Sequence, residues 1–147
     1  MMDRRIGRRI AALAVFAAAV GWASSSLAEG ALALGMPEND PNRGFRWSIH
    51  VNTPDAGTVA MQDCHAAKNP KIGAACKLIR TFSDQCVAVA VNADGPVPVS
   101  AAGWAIEKDS ESARRAAIAM CEGMRHGRGI PCILDGETAL LCDGSAK

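Results

Sequence analysis

The sequence predicts an α+β domain of two layers, with two helices packed on one mainly antiparallel sheet of about six strands, built from a duplicated strand-strand-helix-strand unit and stapled by disulfides. Three observations predict it. The chain repeats itself at an offset of 57 residues, placing Ala31–Leu34 on Ala88–Val91, Trp47 on Trp104, Ile49 on Ile106, Thr53 on Ser110, Ala56 on Ala113, Ala60 on Ala117 and Cys64 on Cys121. Six cysteines stand at 64, 76, 86, 121, 132 and 142, the last two spaced 56 residues from Cys76 and Cys86. Within each copy, hydrophobic periodicity changes from strand-like to helix-like and back. Two copies are too few for a solenoid, so they are expected to close on each other as halves of one domain, about 30–86 and 87–142.

The elements follow in order. "GALALG" and "CVAVAVN" are apolar at nearly every position, which suits strands covered on both faces. "FRWSIHV" alternates, with Trp47, Ile49 and Val51 on one face and Arg46, Ser48 and His50 on the other; "GWAIEK" repeats that face with Trp104 and Ile106. A helix comes next in each copy. Thr53 is the expected N-cap of the first, with Pro54 in its first turn, and Ser110 or Asp109 that of the second. Ala56, Val59, Ala60, Cys64 and Ala67 recur at helical spacing in the first copy; Ala113, Ala116, Ala117, Met120, Cys121 and Met124 do so in the second, all on the expected buried stripe. "CKLIRTF" and "CILDGETALLC" then read as closing strands, the Asp-Gly of the latter marking a turn.

Upstream of the repeat, Arg4, Arg5, Arg8 and Arg9 precede the apolar run "IAALAVFAAAVGWA", and Ser26 and Ala28 hold the small-residue cleavage positions. Residues 1–28 are therefore expected to be a secretory signal peptide, because the apolar run falls short of the roughly 20 residues that a spanning helix needs. The mature chain, 29–147, is expected to be one domain with no membrane span. Cleavage removes four arginines and Asp3, which leaves twelve basic and fourteen acidic residues and turns the formal charge from +1 to about −2. A chain of that balance offers no basic footprint for nucleic acid or anionic membrane. Tyrosine is absent, so any stacking platform rests on Trp47, Trp104 and the phenylalanines.

An even cysteine count in an exported chain reads as disulfides, since the periplasm and the exterior are oxidising. No C-x-x-C pair is present, so neither a metal nor a cofactor is expected. Cys64 ends a helical stripe and Cys76 opens the next strand after a turn, which brings the two within bridging reach. Cys121 and Cys132 repeat that arrangement. Cys86 and Cys142 are left to join the halves across a pseudo-two-fold axis.

The signal peptide, "WSIH" with "AMQDC", "WAIE" with "AIAMC", a second cysteine opening an apolar strand after each, and "SDQCVAVAV" between them resemble the secreted bacterial domain of unknown function 4189. The resemblance runs from about Gly30 to Cys142. It implies an exported bacterial protein, periplasmic or secreted, and carries no catalytic residues.

Reactive constellations are scarce. His50, His65 and His126 belong to no H-x-x-x-H motif, and no G-x-S-x-G or paired-carboxylate motif accompanies them. His65 adjoins Cys64, but helix neighbours point about 100° apart. His126 reads as a solvated cation at a helix end. The expected function is thus an exported cell-envelope protein acting as a non-catalytic binding module, an inhibitor or immunity-type factor whose partner is an envelope protein or glycan. The alternative is a small secreted hydrolase acting on cell-wall material through Asp84, Glu107 or a histidine.

Overall fold

The computed structural model describes residues 30–37, 44–92, 101–127 and 129–147; the expected signal peptide lies outside them. Chain order is β1 (Gly30–Gly35), β2 (Arg46–His50), α1 (Ala56–His65), α2 (Pro70–Ala74), β3 (Cys76–Phe82), β4 (Cys86–Val91), β5 (Ala102–Glu107), α3 (Ser110–Arg125), β6 (Ile133–Leu134), a 3-10 turn (Glu137–Ala139) and β7 (Leu140–Cys142). The class is α+β and every strand pairing is antiparallel. The strands form two sheets, not one. β1 is central in the first, between β2 and β3; β4 is central in the second, between β5 and the successive short strands β6 and β7.

These sheets stack face to face. Leu32, Ile49 and Phe82 of the first share one apolar cluster with Val87, Val89 and Ile106 of the second. On the outer face of the first sheet, Ala31 and Ala33 meet Ala56, Ala60 and Cys64 of α1. On that of the second, Ala88 and Ala90 meet Ala113, Ala117 and Cys121 of α3. The architecture is therefore helix, sheet, sheet, helix. It replaces the expected two-layer, single-sheet arrangement, and the reason lies in the central strands. Side chains alternate across a strand, so "ALAL" and "AVAV" present alanines to one side and larger residues to the other. The alanines let each helix approach closely, while leucines and valines fill the space between sheets.

Gly103 shows how close that approach is: a Cβ there would overlap the Ala117 carbonyl oxygen and the Cys121 nitrogen, both backbone atoms of α3. No side chain fits between β5 and α3 at this point.

Three local expectations are corrected. Thr53 does not cap α1, which starts at Ala56 after a left-handed Asp55 (φ 56°) that makes no side-chain cap bond; the Thr53 hydroxyl donates instead to the Val51 carbonyl at 2.9 Å. The cap of α3 is Asp109, one of the two expected residues, whose carboxylate accepts from the Ser112 amide at 2.8 Å and the Ser112 hydroxyl at 2.9 Å. "CILDGETALLC" is not one strand, because Gly136 (φ 94°) turns the chain between β6 and the 3-10 turn, and pairing resumes only at β7. Finally, α2 is a third helix, capped by the Asn69 side chain with Pro70 in its first turn.

The C-terminal segment is tied back by polar contacts. Asp143 is fully buried. Its carboxylate accepts from the Asn52 amide at 2.9 Å and the Asp84 amide at 3.3 Å, and Asn52 in return accepts from the Gly144 amide at 3.0 Å. Asn52 and Asp84 both have left-handed backbones, so these bonds fasten two tight turns to the chain end.

Candidate functional site: an apolar cleft between the sheets

The inter-sheet layer is filled at one end and open at the other. At the open end, Leu34 of β1 and Lys77 and Ile79 of β3 face Ala102 and Trp104 of β5, with Met120 and Met124 of α3 at the rim. Met36, Phe45 and Ala75 complete a cleft of about 510 Å³. Leu34 and Lys77 are cross-strand partners, and directly opposed residues share a face of the sheet, so the lysine stem lies on the inter-sheet side. The Trp104 amide donates to the Met120 sulfur at 3.5 Å, which holds that side chain against β5.

Met120 and Met124 are 43% and 46% exposed, so the expected buried stripe of α3 narrows to Ala113, Ala117 and Cys121. Small side chains draw the helix down onto the sheet, and the longer methionines on either side project past its edge. Among the described residues, Lys77 is the one charged member of the lining, and none of them carries a carboxylate, imidazole or hydroxyl. Such a surface binds by burial of apolar area, with the Lys77 amine as the one ionisable group among its described residues.

The cysteines form three bridges: Cys64–Cys76, Cys121–Cys132 and Cys86–Cys142. The first fixes the end of α1 to the start of β3, and the second fixes α3 to the segment entering β6. The third joins directly opposed residues of β4 and β7. It links the last residue of the first copy to the end of the second, yet lies within the second sheet, because Cys86 opens β4 and β7 turns back onto that strand and not onto the first sheet. Stacking of the sheets is held by non-covalent contacts alone.

The other sequence candidates stand apart from the cleft lining. His50 Nε2 lies 2.6 Å from Asp63 Oδ2, and Arg46 Nε donates to the Asp63 carbonyl at 3.1 Å. His65 is exposed on the last turn of α1, and Cys64 beside it is bridged, so no thiolate is available there. His126 is exposed in a left-handed conformation just past α3. Asp84 Oδ1 accepts from the Ser145 amide and hydroxyl, both at 3.2 Å, as a turn clamp. Glu107 is half-buried at the end of β5, opposite Cys86. Among the described residues, no group of three histidine, cysteine or acidic side chains could hold a metal ion.

Two carboxylates are held below their ordinary range. Glu122 accepts from the Cys132 amide and is further favoured as an anion by Arg125. Asp109 is lowered by the amide and then the hydroxyl of Ser112. Both serve α3: one orients the Cys121–Cys132 loop and the other caps the helix.

The family model for a domain of unknown function, DUF4189, matches residues 29–132. The chain belongs to the DUF4189 family. No curated protein and no solved structure matches it. The DUF4189 segment spans α1, α3, both central strands and every lining residue of the cleft, and ends at Cys132, ahead of β6, β7 and buried Asp143. Nothing in the local sequence pattern singles out Met36, Phe45, Lys77 or Ile79. The one signal for the site is the pair Met120 and Met124, long flexible residues in a stripe otherwise made of alanine and cysteine.

Proposed function

We propose that this DUF4189 protein is an exported, non-catalytic binding module of the cell envelope, periplasmic or secreted, which holds an apolar group of its partner in the cleft between its sheets. The cleft carries the reading: exposed Met120 and Met124 beside Trp104 and Phe45 in a concave, nearly uncharged lining. Methionine suits a surface that must adapt to its ligand. Three disulfides fit an oxidising compartment, and the basic, apolar and small-residue runs of 1–28 fit a cleaved export signal. The matching order of β1, β2, α1, β3 and β4, β5, α3, β6/β7 supports an origin by duplication. An inhibitor or immunity-type role is the form this function takes when an envelope protein inserts an apolar side chain. A glycan fits poorly, since among the described residues of the lining Lys77 and the Trp104 indole are the only side-chain hydrogen-bond donors.

The test is titration of the mature chain with a neutral solvatochromic dye such as Nile red. Met124→Lys, at an exposed position, should abolish binding while leaving the circular dichroism spectrum unchanged. Undiminished binding by that variant overturns the reading.

A second reading, a hydrolase acting on cell-wall material, is favoured by the His50–Asp63 pair, in which a carboxylate could orient a partly exposed imidazole. It predicts release of soluble fragments from peptidoglycan, lost in His50→Gln. Absence of any release sinks it.

A further inference from the structure

We infer that the cleft takes a single-chain anionic amphiphile of the medium-chain carboxylate class, its tail among Phe45, Trp104, Met120 and Met124 and its acidic headgroup at the Lys77 ammonium. The inference rests on the reading of the cleft as a binding site. Size, shape and charge carry it further.

A volume of about 510 Å³ lies within the roughly 300 to 1,000 Å³ of small-molecule sites, and its ten lining residues fall short of the roughly 20 to 30 that a protein interface uses on each side. The occupant that fits is a ligand-sized body. Its polarity is set by the lining, whose described side chains are apolar apart from Lys77 and the tip of Trp104. A tail can be buried almost anywhere in such a site, but among its described residues only Lys77 brings a positive charge to meet an anion.

The position of that lysine is the second observation. Cys76 packs on the α1 side of the first sheet, and the next residue, Lys77, is turned to the inter-sheet side opposite Leu34. A flexible four-carbon stem there keeps its ammonium at the mouth of the cleft while its methylenes add to the apolar wall. Among the described residues, Lys77 makes no ion pair. An inward-turned lysine on the edge strand β3 also discourages pairing with another chain. That role predicts aggregation in its absence and no effect on ligand choice, so the two can be told apart.

The experiment is isothermal titration calorimetry of the mature protein with saturated carboxylates of eight, ten and twelve carbons, each below its micellar concentration, and with the alcohol of ten carbons. Affinity should rise about fourfold per added methylene until the cleft is full. The ten-carbon carboxylate should bind about tenfold more tightly than the alcohol. Lys77→Gln should erase that preference while keeping the chain-length dependence, and Met124→Gln, which adds polarity without charge, should weaken every ligand. Equal binding of acid and alcohol, or a preference unchanged in Lys77→Gln, overturns the headgroup assignment and leaves the cleft reading standing. Failure of all four ligands to bind the wild-type protein overturns both. Binding to vesicles of anionic phospholipid without binding of the monomeric carboxylates overturns the single-chain assignment in favour of a membrane surface.

Discussion

The indole Nε1 of Trp47, in the first sheet, donates to Asp135 Oδ2, in the turn beyond β6 of the second, at 2.6 Å. No disulfide crosses between the sheets, so among the described residues this bond and the Asp143 contacts are polar ties that fix one against the other. Trp47 is paired with Leu34 in β1, and the same side chain that fills the inter-sheet layer reaches a carboxylate at its rim. Trp47→Phe keeps an aromatic ring and removes the donor. It should cost about 2 kcal/mol, the usual worth of a hydrogen bond to a carboxylate, measured as a lower urea midpoint with an unchanged slope.

Asp143 is a stronger case, because its carboxylate is fully buried and accepts from two backbone amides at turns with left-handed residues. Asp143→Ala leaves both donors without their acceptor and should cost about 3 kcal/mol in chemical denaturation. Asp143→Asn retains one acceptor oxygen and should fall between that variant and the wild type. Equal stability of all three would show that water satisfies these amides.

Glycine substitutions should separate backbone proximity from helix propensity. Gly103→Ala drives a methyl group into the α3 backbone at Ala117 and Cys121. Overpacking against backbone should cost about 3 kcal/mol, since neither β5 nor α3 can yield without losing its own hydrogen bonds. Gly123 lies in the last turns of α3, and a Cβ at that position would meet nothing within 4 Å. Gly123→Ala should stabilise by about 0.5 to 1 kcal/mol. Thermal melts of the two variants should move in opposite directions.

Much of the layer order is written in Ala31–Leu34 and Ala88–Val91. Alternation of small and large residues in a strand with no polar face means that both faces are covered, which excludes a single sheet with helices on one side only. Periodicity says that a face is covered and is silent on what covers it, so the second sheet cannot be read as the cover. Thr53 reads as a cap because its hydroxyl and the following proline satisfy the local pattern, whereas its side chain bonds to Val51 and the helix waits for Asp55. The cleft is illegible for a different reason. Its lining comes from β1, β3, β5, α3 and the segments beside them, and no local spacing links Phe45 to Lys77 or Trp104. Met120 and Met124 fit the period of the buried stripe, and only the close approach of α3 through Gly103, Ala117 and Cys121 decides that they overhang.

Acid should weaken the contacts that cap and anchor α3. Asp109 and Glu122 have folded-state pKa values below those of the unfolded chain, so on acidification the unfolded state takes up their protons first. Their contribution to stability is full above the ordinary carboxylate range and is lost as pH falls through the lowered values. Asp109→Ala and Glu122→Gln should each be less stable than wild type at neutral pH and should converge on it in acid. Urea midpoints measured across that range check the convergence; parallel curves would assign the effect to packing.

The three bridges should contribute unequally. In the chain-entropy account a disulfide acts by restricting the unfolded state, and its effect grows with the logarithm of the loop that it closes. Cys64–Cys76 and Cys121–Cys132 close loops of 12 and 11 residues, and Cys86–Cys142 one of 56. Replacing both cysteines of a short bridge by alanine should therefore cost about 3 kcal/mol, and replacing Cys86 and Cys142 about 4 kcal/mol. The difference has a structural counterpart. The short bridges each fasten a helix end to a neighbour that its own chain already holds near, whereas Cys86–Cys142 secures β7, three residues long, to the central strand of its sheet. Loss of that bridge should also release Asp143 from the Asn52 and Asp84 amides, so backbone hydrogen exchange at those two residues should quicken in the Cys86→Ala/Cys142→Ala protein and stay slow in the other two double variants. Equal protection in all three would mean that the buried carboxylate holds the C-terminal segment without help from the disulfide.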